Sequence, residues 1–127
     1  MVMVVIKEPV IVVDTGGDLC VFPDAEKAQA YLEPHDVHRG RYIAYDSEGR
    51  RLRLSVERKR QTLFTVLPIP PEEQVVVEPG DAEPTHSEEL REQLIRALSH
   101  AGEPPDELAT VSLTRLVSKA LEWYKTV

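Results

Sequence analysis

The stretch "RYIAYDSEGRRLRLSV", Arg41 to Val56, decides the fold prediction, because two alternating runs flank a turn. Leu52, Leu54 and Val56 alternate with polar residues, and this period of two predicts a half-buried β-strand. The intervening residues, Asp46-Ser47-Glu48-Gly49, favour a turn. We therefore predict an antiparallel hairpin whose second strand carries its arginines on the solvated side.

A second hairpin is predicted upstream, in "VIVVDTGGDLCVF", Val10 to Phe22. Its loop, Asp14-Thr15-Gly16-Gly17, resembles the first phosphate loop of the sugar-kinase and actin superfamily, which would imply a nucleotide-binding enzyme. That superfamily needs two large lobes, whereas a chain of 127 residues suits one domain with one core. The glycine pair is therefore interpreted as a hairpin turn.

The rest of the first part of the chain is predicted to contain one short helix and further strands. Apolar residues at helical spacing follow Pro23, and Pro34 ends this helix. Runs rich in β-branched residues predict three more strands, at Met1–Ile6, Thr62–Leu67 and Gln74–Val77.

Beyond the strands, the pattern changes to a polar linker at 79–84 and two amphipathic helices. Thr85 and Glu88 fit a capping box at the start of the first helix, which should end near His100. Strands followed by helices indicate an α+β fold in a single domain. Its parts are an antiparallel sheet of about five to six strands with one short helix in 1–78, the linker at 79–84 and a C-terminal helical hairpin in 85–127. This helical pair either covers the sheet or meets another copy of the chain.

The net charge of −7 is distributed unevenly along the chain. Residues 1–38 carry two basic and seven acidic groups, residues 39–60 carry eight and three, and residues 61–127 carry five and twelve. An acidic surface would steer a basic protein partner into contact. The residues predicted to bind such a partner are Glu72, Glu73, Asp81, Glu83, Glu88, Glu89 and Glu92.

Two other binding functions remain open. A basic β-ribbon can follow a phosphate backbone, and the nucleic-acid contacts would then be Arg41, Arg51, Arg53, Arg58, Lys59 and Arg60. The preferred interpretation is that these side chains pair with acidic segments of the same fold, since the whole chain repels a polyanion. The other alternative is a homodimer through the C-terminal helix, with Trp123 as an interface anchor rather than a flank of the core.

The motifs that mark common catalytic and metal sites are missing from the sequence. There is no glycine-rich nucleotide motif, Gly-x-Ser-x-Gly elbow, Cys-x-x-Cys pair or His-Glu-x-x-His helix. Cys20 sits among apolar residues as a small core side chain, and His35 with His38 gives too few ligands for zinc. We therefore expect a non-enzymatic protein with no metal and no cofactor. The apolar start of the chain lacks a basic leader, so we expect a cytoplasmic protein that does not enter a membrane.

One family resemblance covers "VFPDAEKAQAYLEPHDVHRGRYIAYDSEGRRLRL", Val21 to Leu54. A helix end at Tyr31-Leu32-Glu33-Pro34, then Asp36-Val37, then Tyr45-Asp46 with Gly49-Arg50 resembles small proteins found beside bacterial polymorphic toxins. Such proteins are immunity factors that bind one toxin and block its active site in the cytoplasm of the producing cell. The resemblance implies a toxin inhibitor, and it does not extend to the helices after Pro79.

Overall fold

The chain forms the expected α+β fold in a computed structural model that describes residues 5–59 and 72–124. Five strands and five helices are present within these residues. They are β1 (Val10–Asp14), β2 (Leu19–Phe22), α1 (Ala25–Tyr31), α2 (Pro34–His38), β3 (Tyr42–Tyr45), β4 (Arg51–Lys59), β5 (Glu72–Pro79), α3 (Ser87–His100), α4 (Pro105–Leu108) and α5 (Leu113–Tyr124).

The five strands form one antiparallel sheet in the order β2-β1-β3-β4-β5. Both predicted hairpins are present, as β1–β2 and β3–β4. Strand β1 lies between β2 and β3, and its Val12 is opposite Cys20 on one side and opposite Ala44 on the other. The long strands β4 and β5 pair along their whole length, from Leu52 opposite Pro79 to Lys59 opposite Glu72.

Helices cover both faces of the sheet at β1, which explains its uninterrupted apolar sequence. Val10 and Val12 point towards α1, in a cluster that contains Ala28. Ile11 and Val13 point to the opposite face, where they pack with α3, α4 and α5. The helical pair of the sequence prediction therefore packs on its own sheet, and the short α4 lies between its two members along the chain.

Each hairpin turn is closed by an aspartate. The Asp14 carboxylate accepts hydrogen bonds from the amides of Gly16 and Asp18, at 2.8 and 3.0 Å. The fully buried Asp46 carboxylate accepts from the amides of Glu48 and Arg50, at 3.0 and 2.9 Å. These local bonds satisfy turn amides that would otherwise lack partners, which is why Asp favours such positions.

The predicted capping box is wrong. Helix α3 begins at Ser87 with His86 at its N-cap position, and no side chain there bonds a helical amide. The Thr85 hydroxyl instead lies 3.2 Å from His86 Nδ1. The cause is a tertiary contact, in which the His86 amide donates to the Gly49 carbonyl at 3.1 Å. The β3–β4 turn therefore fixes the start of the helix.

Other predictions need smaller corrections. The short helix ends before Pro34 as expected, but a second one, α2, begins at that proline. The predicted strand at 62–67 and the first four residues of the one at 1–6 lie outside the described residues; Val5 and Ile6 are described and are not in a strand. Within the described residues, no helix is long and apolar enough to cross a membrane.

Candidate protein-binding surface

Helix α3 presents an acidic side to solvent near its first turns. Leu90, Leu94 and Leu98 are fully buried on the sheet side, so Glu88 and Glu92 extend on the opposite, exposed side. Acidic residues are favoured here because the N-terminal end of a helix carries partial positive charge.

Helix α4 packs against α3 and adds exposed carboxylates of its own, Asp106 and Glu107. Arg91 of α3 ties the two helices together, because its Nη2 donates to the Ala109 carbonyl at 2.8 Å. Within residues 5–59 and 72–124, these four acidic side chains form no ion pair. We call them the acidic helical surface: Glu88, Glu92, Asp106 and Glu107. The sequence prediction missed the two on α4, although acidic residues directly after a proline pair are a signal for a helix start.

Glu89 is turned away from this surface and joins α3 to the sheet. Its carboxylate accepts a 2.7 Å hydrogen bond from the fully buried Tyr45 hydroxyl and lies 2.7 and 2.8 Å from Arg51 Nη2. The hydrogen bonds from Arg51 and Tyr45 hold the pKa of Glu89 below its usual range. Burial, together with the bond to Glu89, raises the pKa of Tyr45. Both Glu89 and Arg51 therefore have structural roles, and the Arg51 side chain, predicted to be solvated, is 39% exposed because it contacts α3 through Glu89.

The loop before α3 contains two more of the predicted acidic residues. Asp81 Oδ2 lies 3.0 Å from His86 Nδ1, and the Asp81 amide donates to the Arg51 carbonyl at 3.0 Å. Glu83 is exposed and lies next to the start of the helix. Asp81 thus holds the loop, whereas Glu83 forms no ion pair with any described residue.

The last two predicted acidic residues lie at the far end of β5. Glu73 is close to Arg58 Nε at 3.6 Å and to His38 Nε2 at 3.4 Å. Strand β5 is eight residues long, so its ends are about 23 Å apart. Glu72 and Glu73 are consequently separated from the acidic helical surface, and the predicted set divides into two groups.

Most of the described arginines in the basic hairpin contact carboxylates of the same chain. Arg50 contacts Asp46 and Glu48 and donates to the Ala82 carbonyl, while Arg41 lies 3.9 Å from Asp36. Arg53 is exposed on β4 and forms no ion pair with any described residue. Arg60 and the side chain of Lys59 lie outside the described part of the chain.

The glycine turn that resembles a phosphate loop has no backbone amide to offer a ligand. The Gly16 and Asp18 amides donate to the Asp14 side chain, the Gly17 amide to the Asp14 carbonyl, and the Thr15 amide to the Arg41 carbonyl at 2.9 Å. Phosphate loops bind through free amides. The geometry therefore confirms a hairpin turn at this position.

His35 and His38, considered for metal binding, lie three residues apart on α2, and Cys20 lies on β2. In the described residues, no group of three or more histidine, cysteine or acidic side chains is arranged to hold a metal ion. Cys20 is half-buried on β2, and burial raises the pKa of its thiol. A raised pKa lowers the thiolate fraction and with it the reactivity of the sulphur.

The residues that carry the family resemblance all have structural roles. Tyr31 packs against Phe22 with ring centroids 5.4 Å apart, and Asp36 accepts a 3.2 Å hydrogen bond from the Tyr42 hydroxyl. Burial and the neighbouring Asp36 raise the pKa of Tyr42 to about 12. Gly49 has a φ of 97° and lies against the Ser87 backbone. These residues specify the fold, so they do not by themselves identify a partner.

Comparisons with protein-family models, with curated protein sequences and with solved structures give no match to this chain.

Proposed function

We propose that this chain is a non-enzymatic protein-binding module, an immunity-type inhibitor that neutralises a basic toxin domain in the cytoplasm of the producing cell. The observation that carries the proposal is the acidic helical surface. Its carboxylates are exposed and have no ion-pair partner in the described residues, whereas Glu73, Asp81 and Glu89 are paired internally.

The rigidity of this surface supports the proposal. Leu90, Leu94 and Leu98 anchor α3 in the core, and Arg91 fixes α4 beside it, so the carboxylates are held in place before binding. A preorganised acidic surface loses little conformational entropy on association and speeds the encounter with a basic partner. The resemblance to immunity proteins over Val21 to Leu54 supports the choice of partner class.

The experiment measures association with a toxin domain encoded beside this gene, or recovered by pull-down from the native cell. Attraction between surface charges more than about 8 Å apart is strongly screened at physiological salt, so the association rate should fall steeply as salt rises. The variant Glu88→Gln/Glu92→Gln should associate several times more slowly. Its matched control is Glu26→Gln/Glu33→Gln, which removes the same charge from exposed residues beside α1, on the other face of the sheet.

Two results would contradict the proposal. One is an association rate that does not change between low and high salt. The other is equal slowing by the two charge variants, because the acidic helical surface would then contribute only through net charge.

Nucleic-acid binding through the basic hairpin is the second candidate, favoured by the exposure of Arg53 and by the side chain of Arg58, which is 71% exposed. Fluorescence polarisation at low salt compares Arg53→Ala/Arg58→Ala with the wild type, and Arg51 stays unchanged because it joins β4 to α3 through Glu89. The third candidate, a homodimer, is favoured by Trp123, which is 56% exposed on α5. Sedimentation of the wild type against Trp123→Ala tests it, and a monomeric wild type would exclude it.

A further inference from the structure

A cavity of about 580 Å³ lies between the β1–β2 turn and the last turns of α3. The turn provides one wall, from Thr15 to Leu19, and Arg96 with His100 provides the other. Tyr124 of α5 closes the side between them. Cavities that bind small molecules have volumes of this order.

The walls of this cavity are held in place by hydrogen bonds. Four consecutive amides fix the turn, as described above for Thr15 to Asp18. On the other side, the Tyr124 hydroxyl donates to the Ala97 carbonyl at 2.6 Å and so ties α5 to α3. A ligand would therefore meet a preformed site rather than one that must be ordered on binding.

Two charged side chains of opposite sign, Arg96 and Asp18, line the cavity beside His100 and are not paired with each other. Arg96 and His100 come from α3, four residues apart on its exposed side, and Asp18 comes from the turn. Within residues 5–59 and 72–124, none of the three side chains forms a hydrogen bond or an ion pair. Arg41, Arg50, Arg51 and Arg58, by contrast, all contact carboxylates.

We infer that the cavity binds a small zwitterion of amino-acid or dipeptide size, with its carboxylate on Arg96 and its ammonium group on Asp18. Arginine binds carboxylates through two parallel hydrogen bonds, which suits the first contact. A simple anion fits less well, since the Asp18 carboxylate and the negative C-terminal end of α3 both repel it. The same two features attract an ammonium group.

The test is a titration of the full-length chain followed by amide chemical shifts in NMR. The probes are L-alanine, L-glutamate and L-lysine, with acetate and methylammonium as the two separated charges, each up to about 10 mM, well above a millimolar dissociation constant. At least one amino acid should cause saturable shifts at Thr15 to Leu19 and at Arg96 to His100. Acetate and methylammonium should bind much more weakly.

Two variants and one control assign the contacts. Arg96→Met and Asp18→Asn should each weaken binding roughly tenfold, since each removes a charged hydrogen bond. The Asp18→Asn change leaves the backbone bonds of the turn in place, and the spectra of both variants report directly whether the fold is retained. Arg115→Met removes an exposed helical arginine outside the cavity and should bind like the wild type.

Three results would overturn the inference. They are the absence of saturation with all three amino acids, equal affinity for acetate alone, and folded Arg96→Met and Asp18→Asn variants that bind as tightly as the wild type.

Discussion

The contact between Tyr45, Glu89 and Arg51 should be an energetically coupled unit that holds α3 to the sheet. Replacing Glu89 by alanine leaves the fully buried Tyr45 hydroxyl without its 2.7 Å acceptor. An unsatisfied buried hydroxyl costs about 1–3 kcal/mol, and the half-exposed ion pair with Arg51 adds up to about 1 kcal/mol. We therefore expect Glu89→Ala to lower the free energy of unfolding by about 1–4 kcal/mol.

The double variant separates this coupling from the individual effects. Tyr45→Phe alone should cost about 1 kcal/mol, and in its background Glu89→Ala no longer strands a hydroxyl. Tyr45→Phe/Glu89→Ala should thus be less destabilised than the sum of the single variants, by about 1–2 kcal/mol. Urea unfolding followed by far-ultraviolet circular dichroism measures all four proteins. Additivity within about 0.3 kcal/mol would refute the coupling.

Three further predictions concern stability and ionisation. Gly49→Ala should destabilise the fold by more than about 1 kcal/mol in the same urea assay. The positive φ at this position is strained for alanine, and the added Cβ would overlap the Ser87 backbone. A variant as stable as the wild type would contradict this prediction. Leu94→Ala should cost about 2–5 kcal/mol, while Glu92→Ala, on the exposed side of α3, should stay within about 0.5 kcal/mol. In an absorbance titration, Tyr42 should ionise near pH 12. Since the pKa of Tyr42 is raised in the fold, its contribution to stability is complete below about pH 10 and is lost towards pH 12. The pKa of Glu89 is lowered in the fold, so its contribution to stability is present at neutral pH and is lost as the pH falls below about 4.

Both hairpins could be predicted because their turn chemistry is local. Asp14 and Asp46 each bond amides two and four residues ahead, so the sequence around them contains the whole interaction. The sequence prediction did not specify that β1 is buried on both faces, although an uninterrupted run of four apolar residues is typical of such a strand. Turn residues and apolar runs can be recognised from the sequence because they depend on residues that are close together along the chain.

Contacts between distant segments could not be predicted in the same way. Glu89 contacts Arg51 across 38 residues of sequence, and nothing near either position distinguishes a paired side chain from an unpaired surface charge. The start of α3 depends on Gly49 for the same reason, and the local capping signal at Thr85 is overridden by this tertiary contact. The acidic residues therefore looked equivalent in sequence but separate into paired and exposed groups in the fold.

The internal pairing of the basic hairpin changes what the net charge of −7 means for binding. Arg51 forms an ion pair with Glu89 at one end of the β4–β5 ribbon, and Arg58 forms one with Glu73 at the other end. Each pair has no net charge. Charges separated by more than about 8 Å are largely screened from one another at physiological salt. A partner that approaches α3 and α4 would therefore respond to the nearby exposed carboxylates more than to the net charge of the whole chain. Under the proposed function, we therefore expect the position of the unpaired acids, rather than their total number, to determine which face of the protein attracts a basic partner.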